Sequence, residues 1–399
     1  MLNFQLQMPT RILFGAGEVG KIGAEAVKYG RKVLLVTGRT STKKTGILDC
    51  VLEFLNGAGL EVLVFDRIEP NPRASTIDEG GRIAREEDCD LIVALGGGSV
   101  MDAAKAIAAV AKSLRPIHEY MAGGHTGLWK ELLPITEALP VLTVPTLAAT
   151  GSEANSIAVI TNWETKEKAS ITGPALFPVV AILDPELTYT VPVSYTADGC
   201  ADIFSHLYEV YLTGEEDAHV QDEISEGLMR TVIRFAKIAL AEPTNYEARA
   251  AILWASTLAL IGVAGAGRGG SFTAHQLEHP LSGHYDISHG RGLAILAPDY
   301  FRYVYKERPE RFAQMGRRVF GVQEADDLKA AEAAIQAVET WFEEIGVKDT
   351  LKNQGIPQDA LPRIAADAVR VGGRGQGFIP GIRQLREADV LAIYQACYE

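Results

Sequence analysis

Cysteine is scarce in this chain and falls without pattern. Cys50, Cys89, Cys200 and Cys397 form no CxxC pair and keep no regular spacing. That excludes a disulfide framework and reads as small buried hydrophobes in a reducing compartment. Positive charge is in deficit: 38 Lys and Arg stand against 51 Asp and Glu, a formal net charge of −13. Nucleic acids and anionic membrane surfaces demand clustered cations, so both are excluded as partners. A small anionic ligand, held by backbone amides and one or two cations, remains compatible with that balance. No apolar run reaches the length of about eighteen residues needed to cross a bilayer. The opening "MLNFQLQMPTRILFG" lacks a charged segment followed by an apolar block, so no signal peptide is expected and the expected location is the cytoplasm.

What is present suits a large globular protein. At 399 residues with 47% hydrophobic residues, the chain can bury two cores, and two domains are expected. "KVLLVTG" (32–38), "EVLVFD" (61–66), "DLIVALGGGS" (90–99), "PVLTVPT" (140–146) and "VVAILDP" (179–185) each read as a buried strand. Helical patterns near 44–58, 75–88 and 100–112 alternate with them, which predicts a parallel sheet covered on both faces. Beyond about residue 195 the texture changes to Ala/Leu/Glu-rich helical stretches at 196–212, 219–240, 246–264 and 325–345. The expected organisation is therefore an α/β domain over 1–190 and an all-helical domain over 191–399. The cleft between the halves is the default ligand site. "NFQLQM" alternates polar and apolar residues, so Phe4, Leu6 and Met8 are expected on one side of an edge strand that a second subunit can pair.

Two glycine-rich stretches compete as a phosphate site. "GAGEVG" (15–20) matches G-x-G-x-x-G formally, but its lead-in "RILF" is short and comes soon after Pro9, so it reads as a turn. "LIVALGGGSVMDAAKAIA" is the stronger candidate. A continuous apolar strand runs into Gly96, Gly97 and Gly98, then Ser99 as an expected N-cap, then a helix. There, phosphate oxygens can approach bare backbone and meet the unpaired amides at the positive end of the helix. Asp102 in the first turn can cap amides or hold a ribose or amide group. "TVPTLAATGSEAN" adds a hydroxyl-rich loop with Thr143, Thr146 and Ser152. The bland reading of the glycines is a tight strand–helix turn, which three in succession make the weaker one.

Cofactor choice turns on the residues just after the strand at 33–37. An NAD-preferring site usually places a carboxylate there for the adenosine ribose. This chain has Gly38, Arg39, Thr40 and Ser41 instead, then Lys43 and Lys44. A 2′-phosphate suits such groups better than a bare hydroxyl, so NADP(H) is expected over NAD(H). A solvated basic loop is the alternative.

A metal constellation lies further on. "TADGCADIFSHLYEVYL" places Asp202 and His206 four apart, on one face of a predicted helix. Such a pair alone is more often a capping or surface feature. "HQLEHPLSGHYDISHG" then carries four of the eight histidines, His275, His279, His284 and His289. One carboxylate with three imidazoles around an open position suits Fe(II) or Zn(II) and is unlike a Ca²⁺ or Mg²⁺ site. Spacing alone does not choose three ligands from five histidines.

With these motifs together the chain resembles the iron-containing (group III) alcohol dehydrogenase family, in particular its butanol-dehydrogenase-like, aldehyde-reducing branch. "EPNP" (69–72), "GGGSVMDAAK", "VPTLAATGSE", "AILDPELTYTVP", "ADIFSHLYE" and "HQLEHPLSGHYDISHG" occur in that family's order over essentially the full length. The resemblance implies a Rossmann-like N-terminal domain with a parallel sheet, plus an all-α C-terminal domain, an architecture shared with dehydroquinate synthase. It implies Asp202, His206, His275 and His289 as metal ligands. It places His279 beside nicotinamide and substrate and leaves His284 without a role. Gly97, Gly98, Ser99 and Asp102 match the pyrophosphate and nicotinamide contacts, Asn71 an adenosine-side turn, Thr143 and Thr146 the second loop, and Lys168 a lysine near the ribose. "TGRTSTKKTG" corresponds to the NADP(H)-using version of the first loop, with Gly38, Arg39 and Ser41 as contacts. Arg39 departs from the commoner all-glycine form.

The implied function is metal-dependent hydride transfer between NADP(H) and a primary alcohol/aldehyde pair, with a homodimer expected. His279 is the candidate proton relay, with a steric role as its rival, and Lys168 a holder of ribose or amide. Two alternatives share the architecture: a glycerol-dehydrogenase-like NAD-dependent polyol dehydrogenase, and a dehydroquinate-synthase-like lyase. The lyase would need basic residues near the metal, and Arg268 and Arg291 are the only candidates nearby. A non-catalytic nucleotide- or metal-binding protein is the third reading, disfavoured by an intact ligand set beside an intact phosphate loop.

Overall fold

Strands that are apolar on every residue need cover on both faces, and the first half of the chain folds accordingly. The structure is a computed structural model, and it describes residues 1–121, 133 and 135–399. Its strands are β1 (Arg11–Phe14), β2 (Lys32–Gly38), β3 (Glu61–Ile68), β4 (Leu91–Gly96), β5 (Val141–Pro145), β6 (Ile157–Asn162), β7 (Glu167–Thr172) and β8 (Val180–Leu183). Six of them form a parallel sheet in the order β1-β8-β5-β4-β2-β3. The inner strands β4, β5 and β8 are buried at every position, while the edges β1 and β3 are partly exposed. That difference is why the inner strands read clearly in the sequence and β1 did not.

The antiparallel hairpin of β6 and β7 was not anticipated either. Its residues, "IAVITNWETKEKASIT", are rich in polar side chains, and the turn needs Lys166 at φ 61°.

Helices α1 (Ile22–Ala26), α2 (Ser41–Lys44), α3 (Ile47–Gly57), α4 (Ala74–Glu86) and α5 (Gly98–Lys112) fill the first half. α3 turns Leu48, Val51 and Leu55 onto Val33, Leu35, Leu91 and Val93 of the sheet. α5 is buried continuously from Val100 to Ala111. "GAGEVG" is a turn: Gly17 adopts φ 72° ahead of a short 3-10 helix, after the edge strand β1.

The second half is helical: α6 (Val193–Thr213), α7 (His219–Ala241), α8 (Tyr246–Leu260), α9 (Thr273–Tyr285), α10 (His289–Val304), α11 (Pro309–Val319), α12 (Asp327–Glu344), α13 (Leu361–Gly372) and α14 (Glu387–Ala396). Packing density groups Gln7–Val191 with Thr244–Leu253, and Met1–Leu6 and Pro192–Pro243 with Trp254–Glu399. The return of 244–253 to the sheet unit is invisible in composition. Leu253 there joins Ala181 and Leu183 of β8. The strand expected over "NFQLQM" is not formed within the chain, because among the described residues no other strand lies alongside it. A backbone bond from Leu2 N to Gly267 O ties the segment down, and Phe4, Leu6 and Met8 remain 40–52% exposed.

Candidate functional site

Ligands of open parallel sheets bind beyond the carboxyl ends of the strands, where successive connections leave in opposite directions. Here that point lies between β2 and β4. β2 connects outward to its neighbour β3, whereas β4 connects to β5 on the other side. The register pairs Thr37 with Leu95, which sets Gly38 beside Gly96.

From Gly96 the chain enters α5, whose N-cap is Gly97, not Ser99 as expected; Ser99 is the second helical residue. Gly97 offers no side-chain cap, and the amides of Val100 and Met101 donate to its carbonyl. Helix geometry therefore leaves the Gly98 and Ser99 amides for an anion. A Cβ at Gly98 would lie 2.5 Å from Thr150 Cγ2, so glycine is what lets the loop after β5 close over the helix start. Thr146 N donates to Gly96 O at 3.0 Å and pins that loop in place.

Other predicted contacts lie nearby but are engaged within the protein. Asp102 accepts from the Ser152 hydroxyl with one oxygen and from Val159 N with the other, at 2.8 Å. Burial pushes its carboxyl upward, and Lys105 and Ser152 only partly oppose that. Thr143 is fully buried, with its hydroxyl donating to Glu153 O at 3.0 Å. Both side chains thus build the second loop. Lys168 and Asn71 meet directly, Nζ to Oδ1 at 2.9 Å, with Asn71 at φ 51°.

The loop after β2 holds an arrangement the sequence did not reveal. Arg39 pairs with Glu69 at 2.8 Å and Lys43 with Asp66. The carboxylates missing after β2 thus arrive from β3 and the turn behind it. Glu69 Oε2 is buried without a hydrogen-bond partner. Ser41, at the start of α2, is exposed.

The second constellation is built by three helices. Asp202 and His206 lie one turn apart on α6, His275 and His279 one turn apart on α9, and His289 opens α10. α9 stops at Asp286, which takes φ 58°. Ser288 and Arg291 then clamp α10 onto Asp198, at 2.7 and 2.9 Å. A Cβ on Gly290 would lie 2.0 Å from Asp198 O, so only glycine permits this approach. Asp198 is one turn before Asp202, and the clamp delivers His289 to it.

Asp202 Oδ1 consequently lies 3.6, 3.7 and 3.9 Å from Nε2 of His206, His275 and His289. Ligands 2.0–2.1 Å from a tetrahedral Zn(II) would be separated by about 3.3 Å, so the three spacings from Asp202 exceed that by only about 0.3–0.6 Å. The donor atoms of Asp202, His275 and His289 all lie within 4.8 Å of one another. His206 joins through Asp202 and by stacking on His275, with centroids 4.7 Å apart. Asp202 Oδ1 and His275 Nε2 are buried and have no hydrogen-bond partner. Unsatisfied buried polar atoms cost about 1–3 kcal/mol each, and a cation among them is the group whose chemistry fits.

The electrostatics are those of an anionic pocket. Burial opposes charge on His275, but the Glu209 and Asp202 carboxylates outweigh it and raise its pKa to about 10, so a cation bound there would have to displace that proton. Burial opposes ionisation of Asp202, but the imidazoles of His206, His275 and His289 outweigh it and lower its pKa. Burial takes His206 down to about 4, which leaves it neutral and able to donate a lone pair.

Two residues at this centre were missed. Glu209, one helical turn beyond His206, receives His275 Nδ1, and Glu278 receives His289 Nδ1. Their spacing, three residues from His206 and from His275, was the available signal. His279 lies beside His289, ring centroids 5.7 Å apart, and its donor atom groups with those of Glu278 and His289 within 4.8 Å, apart from the set of Asp202, His275 and His289. His284 pairs with Asp367 of α13 at 2.8 Å, which accounts for it as a tie between α9 and α13. The arginines that a lyase would need are engaged: Arg268 is fully buried on Asp222, and Arg291 is held on Asp198. Among the described residues no helix is long and apolar enough to cross a membrane.

Comparison with known proteins covers both halves of the chain. A model for iron-containing alcohol dehydrogenases matches residues 9–185, and one for the C-terminal region of the Fe-containing alcohol dehydrogenase family matches 196–398. The chain is 40% identical to NADH-dependent butanol dehydrogenase A of Clostridium acetobutylicum, covering 100% of both chains. It is 38% identical to the NADPH-dependent aldehyde reductase YqhD of Escherichia coli over 91% of this chain and 92% of that one. Among solved structures, the NADH-dependent butanol dehydrogenase A of Thermotoga maritima superimposes with a TM-score of 0.93 at 36% identity, covering 100% of this chain and 99% of that one.

Proposed function

The chain belongs to the iron-containing alcohol dehydrogenase family, and from that premise we propose a metal-dependent, NADP(H)-preferring reductase of short or medium aldehydes, acting reversibly on the corresponding primary alcohols. The carrying observation is the convergence of three imidazole nitrogens on Asp202 Oδ1 at 3.6–3.9 Å. Asp202, His206, His275 and His289 would hold one Fe(II) or Zn(II). Bound there, the metal supplies Lewis-acid polarisation of a carbonyl, and the dinucleotide supplies or accepts hydride.

The remaining work falls to the chain's own residues. The Gly98 and Ser99 amides and Thr146 orient the pyrophosphate; Asn71 and Lys168, joined to each other, orient the adenosine side and the ribose. His279, next to His289, would carry the proton that the alkoxide oxygen exchanges with solvent, a role its position supports. Asp102 and Thr143 act one step back, by fixing the loop that carries Thr146.

The NADP(H) preference rests on Arg39, Ser41 and the lysines beyond them. A second reading, use of NADH, is favoured by Glu69, whose carboxylate occupies Arg39 and keeps one buried oxygen unpartnered. The Clostridium butanol dehydrogenase is NADH-dependent and the Escherichia coli aldehyde reductase NADPH-dependent, so the two readings part at this loop. The exposed, alternately apolar segment at Phe4, Leu6 and Met8 supports a homodimer formed through that edge.

The test is oxidation of NADPH and NADH by metal-loaded protein over a panel of aldehydes, with a chelated control. Cofactor oxidation lost on chelation supports the reading. Oxidation indifferent to chelation, or none with any aldehyde, defeats it.

A further inference from the structure

Two glutamates at the metal cluster are buried as deeply as any side chain in the helical unit: Glu209 is 1% exposed and Glu278 0%. A carboxylate in that setting requires compensation, and both find it at the outer nitrogens of proposed ligands. Resting on the metal reading, we infer that Glu209 and Glu278 are positioning residues that lock His275 and His289 with Nε2 toward the metal and raise their donor strength.

Each glutamate acts across elements. Glu209 on α6 receives Nδ1 of His275 with one oxygen and the backbone amides of Ala274 and His275 with the other. One carboxylate thereby fixes both the start of α9 and the ring that α9 presents. Glu278 on α9 receives Nδ1 of His289, the first residue of α10, while its other oxygen accepts from the Ser282 hydroxyl. The rings that α9 and α10 present are therefore each held by an earlier helix of the centre.

The space for Glu278 is itself built. A Cβ at Gly292 would stand 2.7 Å from Glu278 Cγ and 3.0 Å from Oε1, so that glycine keeps the carboxylate in place. By contrast His206 Nδ1 is buried with no hydrogen-bond partner. Two of the three imidazoles are buttressed and the third depends on its own helix. A neutral imidazole donating Nδ1–H to a carboxylate presents Nε2 alone as its lone pair and is the more basic for it.

Capping alone would produce the same contacts, and glutamine separates the two roles. Glu209→Gln and Glu278→Gln keep the size and an acceptor oxygen but remove the charge. Zn(II) affinity, measured by competition with a chelator of known strength, is expected to fall about 10–100-fold in each. The absorption bands of the Co(II)-loaded protein are expected to shift, with dinucleotide binding and circular dichroism unchanged. Gly292→Ala is expected to weaken Zn(II) in the same direction by displacing Glu278.

Zn(II) affinity within about twofold of the parent in both glutamine variants, well short of the expected loss, would overturn the inference. Should Glu209→Gln not fold, parental affinity in Glu278→Gln and Gly292→Ala overturns it equally. His206→Ala keeps the two failures apart. If that variant binds Zn(II) like the parent, the metal reading itself fails; if it loses Zn(II) while the glutamate variants do not, only the role of the glutamates does.

Discussion

The guanidinium of Arg39 has two partners, the Glu69 carboxylate at 2.8 Å and the Arg67 carbonyl at 3.3 Å. Held this way, it remains 62% exposed, and on the proposed NADP(H) reading it would receive the 2′-phosphate, with Glu69 setting its direction. Arg39→Ala is expected to weaken NADPH binding about tenfold, the scale of one charge-assisted hydrogen bond, and to leave NADH unchanged. Glu69→Gln removes the competing negative charge and is expected to move the affinity ratio toward NADPH. Fluorescence titration of both dinucleotides measures each effect, and a fall in NADH affinity alone would instead support the second reading. Histidines divide similarly by position. His279→Ala is expected to retain bound metal and lose about 100-fold in kcat, whereas His206→Ala is expected to lose both. Metal analysis beside steady-state kinetics distinguishes the two.

At the scale of elements, the centre depends on how α10 meets α6. Ser288, Gly290 and Arg291 all meet Asp198, one turn before the proposed ligand Asp202. Gly290→Ala would force a Cβ into the Asp198 carbonyl and shift the start of α10, and His289 with it. The expected result is weaker metal binding with the dinucleotide affinity intact, read from chelator competition and nucleotide titration on the same sample. Gly98→Ala tests the other unit in the opposite sense. Its Cβ would press on Thr150, so dinucleotide affinity is expected to fall while the metal is retained. Each motif is thus supported by a backbone approach that a side chain would block.

Across the whole molecule, the proposed metal would couple ligation to stability. A metal bound only by the native state stabilises it by about 2.7 kcal/mol at a hundred times its dissociation constant, so chelation is expected to lower Tm and added Zn(II) to restore it, by calorimetry. The acid limb has a second source. Asp222, Arg268 and Arg311 form a buried cluster in the helical unit. Burial opposes the charge on Asp222, but Arg311 and Arg268 outweigh it and hold its carboxyl below the usual range. The unfolded chain then binds the proton first as pH falls, so the stabilisation is complete above about pH 4 and is lost as pH drops through the lowered native value. Asp222→Asn is expected to cost about 3–5 kcal/mol by stranding two guanidiniums and to flatten stability against pH below about 4. Denaturant melts from about pH 2 to 7, spanning the carboxylate range, measure both effects.

The buried strands, the glycine-rich turn from strand to helix and the histidine-rich segment were legible in the sequence because each is a local pattern. Continuous apolar runs, three glycines before a helix, and i,i+4 spacings declare themselves within a few residues. The short edge strand β1, the polar hairpin β6–β7 and the return of 244–253 to the sheet unit were not, since their positions depend on neighbours distant in the chain. The same division runs through the site. Residue types and the family pattern named Asp202, His206, His275 and His289, but only folding brought one carboxylate oxygen within 3.9 Å of three imidazoles. Tertiary structure alone supplied Glu209 and Glu278 behind two of those rings, placed Glu69 against Arg39, and turned Asp102 and Thr143 inward. The physical reason is that a side chain's chemistry is written in its type, whereas its partner, and so its charge, tautomer and direction, is decided by which distant segments pack against it.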